Sequence, residues 1–190
     1  MSTLKLGVSS YSYWHFLSEK TKLELIVDKA SELGLRGVEI VQQQLLSEDA
    51  AYLQDLKRYA FRKGVTFFGL GTSQDFVWDE AAKRKENIEH TKYCIELAHK
   101  LGVPAIRVNA GFWRREDKFE GLVETKGWTT PWEGVTHDDG FNWAIEGLGA
   151  CTAHAEKYGV MMLLENHWGL TTTDDGMLRI LNAVDSPWLR

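Results

Sequence analysis

The chain has 190 residues, of which 44% are hydrophobic and 26% charged, with a formal net charge of −5 and a pI near 5.7. That size can bury a substantial single core, and the composition is that of an ordinary globular protein. The acidic balance excludes the basic footprint of a duplex nucleic-acid binder. No apolar stretch approaches the length needed to span a membrane. The N-terminus Met1-Ser2-Thr3-Leu4-Lys5 lacks a signal-peptide pattern, so a cytoplasmic location is expected. Cys94 and Cys151 fall within helical patterns and form no metal-binding spacing, and are read as buried free thiols.

The opening segment Leu4-Lys5-Leu6-Gly7-Val8 reads as a first strand. Four later strands each follow a glycine: Gly34 precedes 35–40, Gly64 precedes 65–69, Gly102 precedes 103–109 and Gly159 precedes 160–164. A glycine just past a helix supplies the left-handed cap, so the four mark helix-to-strand junctions. The helices before them carry amphipathic spacing: Leu23, Ile26, Val27, Ala30 and Leu33; Tyr52, Leu56, Tyr59 and Ala60; Ile88, Thr91, Ile95 and Ala98; and Leu148, Cys151, Ala155 and Tyr158. A fifth helix is predicted from about Thr173 to Val184, with a Thr cap and an acidic first turn. Strict strand–helix alternation means a parallel sheet with right-handed crossovers.

Polar or glycine residues recur at each strand end: Ser9, Glu39, Gly71, Asn109 and Glu165. A barrel builds its site from all such edges, whereas an open sheet concentrates it at one switch point, so the barrel is favoured. Gly69-Leu70-Gly71 lacks the third glycine of a dinucleotide fingerprint and is discounted. The expected fold is therefore an α/β (β/α)8 TIM barrel, with about the first five βα units in residues 1–190 as one domain. Ser186-Pro187-Trp188-Leu189-Arg190 reads as the lead into a sixth strand. Either a longer chain or another polypeptide then supplies the remaining strands, and five units alone leave two sheet edges open to association as a homo- or hetero-oligomer. The interval from Gly102 to Gly159 is longer than those before it. Its extra length, about Phe112 to Gly140, holds three of the eight tryptophans and is read as a loop or lid over the C-terminal face.

The most informative stretch is Val160-Met161-Met162-Leu163-Leu164-Glu165-Asn166-His167-Trp168. Its unbroken apolar run reads as a strand buried on both faces. Glu165 and His167, at i and i+2, can converge on one cation or one substrate oxygen; the alternative is a polar turn that merely ends the strand. Glu39 can orient a ligand or serve the barrel's polar top layer, with equal weight. Asn109 can bind a sugar hydroxyl, while Arg107 is read as pointing the other way and structural. His15 and Trp14 follow the first strand as candidate sugar contacts, against capping or loop packing. Trp113 and His137 belong to the long loop, where indole faces suit sugar rings but can equally pack the loop onto the barrel.

Leu6-Gly7-Val8-Ser9-Ser10-Tyr11-Ser12, Gly37-Val38-Glu39-Ile40, Ile106-Arg107-Val108-Asn109-Ala110-Gly111 and Leu163-Leu164-Glu165-Asn166-His167, in this order, resemble the xylose-isomerase-like barrels. That group includes sugar phosphate isomerases and epimerases, inosose and dehydroshikimate dehydratases, and family 2 abasic-site endonucleases. The resemblance implies a divalent cation, Mn²⁺ first and Mg²⁺ or Co²⁺ otherwise, with Glu165 as its strand-five ligand and the others beyond Arg190. It implies proton abstraction next to a carbonyl through a metal-stabilised enediolate, with Glu165 and His167 as catalytic candidates. Epimerisation returns the proton, whereas elimination expels a neighbouring group, as in dehydratases and in lyases acting on 3-keto-glycosides. The Trp-rich loop and the lack of a phosphate cradle favour a keto-sugar or glycoside, as in the large subunit of a bacterial C-glycoside deglycosidase with its small partner subunit. Nuclease chemistry is disfavoured, since residues 70–80 contain no His. A non-catalytic, barrel-like binding subunit is the remaining alternative.

Overall fold

The computed structural model describes residues 4–14, 20–114 and 119–190. Five strands, β1 (Gly7–Ser9), β2 (Gly37–Val41), β3 (Thr66–Gly71), β4 (Ala105–Val108) and β5 (Met161–Leu164), pair in parallel in that order. Between and after them run α1 (Leu23–Glu32), α2 (Ala50–Arg62), α3 (Ala81–Leu101), α4 (Phe119–Glu124), α5 (His137–Tyr158) and α6 (Asp174–Val184). Sequential strand order with a helix in each crossover is the winding of a TIM barrel, here over five βα units. Leu189 bridges Met162 in parallel, and Arg190 N–H donates to the Met162 carbonyl at 3.0 Å, so the sheet continues past β5 as the Pro-Trp-Leu-Arg segment predicts.

The junction glycines do what their position requires: Gly34, Gly64, Gly102 and Gly159 all have φ between 65° and 71°. Thr173 caps α6 by accepting the Gly176 N–H. Thr136 and Asp139 form a reciprocal capping box that starts α5 at His137, so the long segment ends earlier than its sequence suggests and holds the short α4. The first strand also starts later than expected, at Gly7; Leu4 and Leu6 are exposed instead.

The two faces of the sheet differ. Toward the helices, Val38, Ile40, Leu70, Ile106, Val108 and Met162 have no exposed surface. On the other, concave face Leu163 is 41% and Phe68 46% exposed. The apolar run 160–164 is therefore not buried on both faces. Five curved strands leave their inner face uncovered among the described residues, and burial against the helices alone is enough to select apolar residues there. Both cysteines are free and buried, and burial pushes each thiol up to about 12, which leaves them unreactive. Among the described residues no helix is long and apolar enough to cross a membrane.

Candidate active site

The strand register brings three charged side chains together at the C-terminal edge of the concave face. Glu39 on β2 lies opposite Gly69 of β3, and Gly71 lies opposite Arg107 of β4. Glu165 N–H donates to the Val108 carbonyl at 3.0 Å, which extends the β4–β5 ladder by one residue and fixes the Glu165 backbone. The Arg107 carbonyl is held in turn by Thr72, whose Oγ1 donates at 2.7 Å. Arg107 Nη1 donates to Glu165 Oε2, and its Nε lies 3.7 Å from Glu39 Oε1. Side-chain exposures of 19%, 26% and 33% for Glu39, Arg107 and Glu165 make the cluster mostly buried but reachable from water. Its net charge is −1.

Arg107 thus faces the site, contrary to the sequence reading. Residues 107 and 109 share a parity, so a strand that presents Asn109 inward presents Arg107 inward too. Asn109 follows β4 with its Oδ1 buried and without a hydrogen-bond partner, an acceptor that suits an incoming hydroxyl.

His167 is half-buried, and desolvation lowers its pKa, against the opposing pull of the Glu165 carboxylate. Its ring is held neutral near pH 7, with a lone pair to offer. The turn that carries it is closed by Thr171, whose Oγ1 accepts the His167 N–H at 3.2 Å. Glu39 and Glu165 are therefore joined through one guanidinium, with His167 electrostatically linked to Glu165.

The remaining sequence candidates lie elsewhere. Trp14 follows β1, half-buried, with the Tyr11 ring edge-on at 6.1 Å and Lys20 Nζ 5.9 Å from its own ring. His15 lies outside the described residues. Trp113 has no exposed surface and packs against Trp132, Trp143 and His137, with centroids 5.2, 6.0 and 6.1 Å away. It is the core of the long segment. His137 is exposed at the start of α5 and lines, with Trp128, Thr129, Thr173 and Asp175, a cleft of about 280 Å³.

Beside this edge the structure builds a second arginine site that the sequence does not announce. Asp75, in the segment after β3, accepts Arg114 Nε at 2.8 Å and the Val77 N–H at 3.0 Å. The Arg114 guanidinium lies 5.1 Å from the Trp78 ring and 4.7 Å from Phe112. Burial pushes Asp75 up to about 6 despite that cation.

Oxygen donors with one imidazole suit a hard divalent cation, and Glu165 with His167 is of that type. Arg107 lies where a positive charge is wanted, bound by two carboxylates that would otherwise face each other. Among the described residues no three His, Cys, Asp or Glu side chains converge on one cation. Glu165 would be one ligand of a larger set.

Comparison with known proteins agrees with the fold. The fold superposes on D-psicose 3-epimerase from Clostridium cellulolyticum H10, crystallised with D-tagatose, with a TM-score of 0.76 and 18% identity, over 98% of this chain and 62% of that one. It superposes on the 3-keto-D-glucoside 4-epimerase of E. coli with a TM-score of 0.73 and 15% identity, over 99% and 67%. A third likeness is the IolI protein with a bound zinc atom, at a TM-score of 0.72 and 17% identity, over 98% and 61%. The chain thus spans about three-fifths to two-thirds of the length of these proteins. No curated protein matches its sequence. The family model described as xylose isomerase-like TIM barrel matches residues 27–190, and the chain belongs to that family.

Proposed function

We propose that this chain carries half of the active site of a divalent-metal-dependent enzyme that abstracts a proton next to the carbonyl of an uncharged sugar, keto-sugar or glycoside. The observation that supports this most is the placement of Glu165: a carboxylate at the C-terminal edge of β5, beside the concave face, charge-paired to Arg107. Barrels of this class do their chemistry at that edge. The bound cation would polarise the substrate carbonyl and stabilise the enediolate. Glu165, as ligand or as base, takes the proton from the adjacent carbon, and neutral His167 accepts or returns a proton at a substrate hydroxyl. Asn109 Oδ1 offers an acceptor for a sugar hydroxyl.

Glu39, Arg107 and Glu165 sum to −1 before a cation binds, and a divalent cation reverses that sign, so the charge balance does not by itself select the substrate. An uncharged substrate is supported instead by the aromatic surface of the long segment, with Trp128 exposed. The sugars that name these neighbours, D-psicose and a 3-keto-D-glucoside, and the D-tagatose crystallised with the first are uncharged.

The aromatic cleft beside the long segment supports a second reading, elimination of an aglycone from a 3-keto-glycoside, because an exposed Trp128 and its neighbours offer ring-stacking surface. In that case the enzyme is a lyase of the C-deglycosylation type, and a small partner subunit at the open sheet edge is expected.

The test is metal content together with turnover by the full-length protein, on a panel of ketohexoses, 3-keto-glucosides, aryl glycosides and the matching phosphates. Cation-dependent conversion of the uncharged members supports the proposal, and release of an aglycone selects the lyase. Full activity after chelation, or turnover of phosphates alone, contradicts it.

A further inference from the structure

Gly69-Leu70-Gly71 lacks the third glycine of a dinucleotide fingerprint, yet both glycines border the charged cluster. A Cβ on Gly69 would lie 3.5 Å from Glu39 Cγ. A Cβ on Gly71 would lie 3.0 Å from Arg107 Nη2 and 3.6 Å from Glu39 Cδ. The strand between the two carboxylates is thus cleared of side chains where the guanidinium crosses it. Arg107 is not symmetrically shared: it hydrogen-bonds Glu165 directly and stands at 3.7 Å from Glu39, a longer contact that leaves Glu39 in reserve.

We infer that Arg107 is a positioning residue that holds the Glu165 carboxylate in the absence of a cation and yields it to the cation by shifting toward Glu39. The inference rests on the metal-dependent reading above. Its physics is charge exchange. Two carboxylates on one half-buried face repel each other, and a guanidinium bridging them keeps the side chains ordered before the cation arrives. Once a divalent cation engages Glu165, Arg107 is a like charge beside it, and the shift toward Glu39 lowers that repulsion. The glycine pair leaves the guanidinium room to swing without backbone movement. Arg107 also competes for Glu165, so it sets how tightly the cation is held.

That competition gives two variants opposite effects, which a merely structural role would not. In Arg107→Met the competitor is gone, and Mn²⁺ measured by titration calorimetry on the full-length protein is expected to bind three- to tenfold more tightly. In Glu39→Gln the guanidinium loses its second partner and stays on Glu165, and Mn²⁺ is expected to bind about threefold more weakly. Arg107→Lys, which keeps the charge without the fork, is expected between Arg107→Met and wild type. Thermal melting in EDTA runs in parallel: Arg107→Met is expected to melt below wild type without metal and to gain more than wild type on adding Mn²⁺. Weaker Mn²⁺ binding in Arg107→Met, or shifts of the same sign in Arg107→Met and Glu39→Gln, overturns the positioning role. No Mn²⁺, Mg²⁺, Co²⁺ or Zn²⁺ binding by the wild type overturns the metal-dependent reading and this inference with it.

Discussion

Arg107 and Arg114 both hold carboxylates beside the same edge of the sheet, and they are built in opposite ways. Arg107 stands on a strand, and its partners Glu39 and Glu165 are set by parallel register across β2, β4 and β5. Arg114 stands on a connecting segment, with its carboxylate in another segment 39 residues earlier and its guanidinium between two aromatic rings. The first cluster is 19–33% exposed on a concave face. In the second, Asp75 is only 8% exposed and has its oxygens engaged. Register-built charge with surplus negative potential suits chemistry, whereas a buried carboxylate with both oxygens engaged, paired to an arginine that is itself 45% exposed, suits the architecture of the rim.

Substitutions in the two clusters should therefore separate activity from stability. The largest effect is expected from Glu165→Gln, which keeps the shape and removes the charge. Turnover should fall by about a thousandfold or more, while the melting temperature moves by roughly 2 °C or less. Steady-state kinetics and thermal melting on the same preparation check this. A comparable loss of stability would place Glu165 with the structural pair.

Next comes Trp113→Ala, which empties the core beside Arg114. Unfolding free energy should drop by about 3–5 kcal/mol, the cost of a fully buried Trp side chain and its cavity. Urea titration followed by circular dichroism reads it directly.

Asp75 gives a pH signature of its own. Its folded-state pKa is raised from 3.8 to about 6, so the folded protein binds the proton more tightly than the unfolded chain. The stabilisation this provides is fully present below pH 3.8 and is lost as pH rises through 6. Wild type should accordingly lose on the order of 3 kcal/mol from this group between pH 4 and pH 7, and Asp75→Asn should flatten that part of the profile. Urea midpoints across that range test it, and an unchanged slope in Asp75→Asn contradicts it.

The smallest effect is expected from Gly71→Ala. Its Cβ would press on the mobile end of Arg107 at 3.0 Å, not on backbone. Turnover should fall by about three- to tenfold through misplacement of the guanidinium, with little change in melting temperature. An unaltered rate would mean that the cleared strand has no bearing on the site.

The fold was legible because its signals are local. Four glycines with positive φ, amphipathic helices and polar strand ends mark the strand–helix alternation, and polar residues at every strand end favour a barrel over an open sheet. Glu165 was legible for the same reason, a carboxylate at the end of an apolar strand. Arg107 was misread through parity, although its place two residues before Asn109 contains the answer. The Asp75–Arg114 pair lies between two irregular segments, where no periodicity fixes which side chains meet. Burial of the run 160–164 was overestimated at Leu163 because a sequence does not tell which face of a sheet is covered. His15 lies outside the described residues, and its reading as a sugar contact stays a sequence expectation.

The central claim is that Glu165 takes part in proton abstraction next to a carbonyl. It is tested most directly by incubating the full-length protein with Mn²⁺ and the ketohexose and 3-keto-glucoside panel in D₂O, and following deuterium at the carbon next to the carbonyl by NMR. Exchange by wild type, with loss of exchange in Glu165→Gln at equal fold stability, is the predicted result. Exchange that persists unchanged in Glu165→Gln would contradict the account.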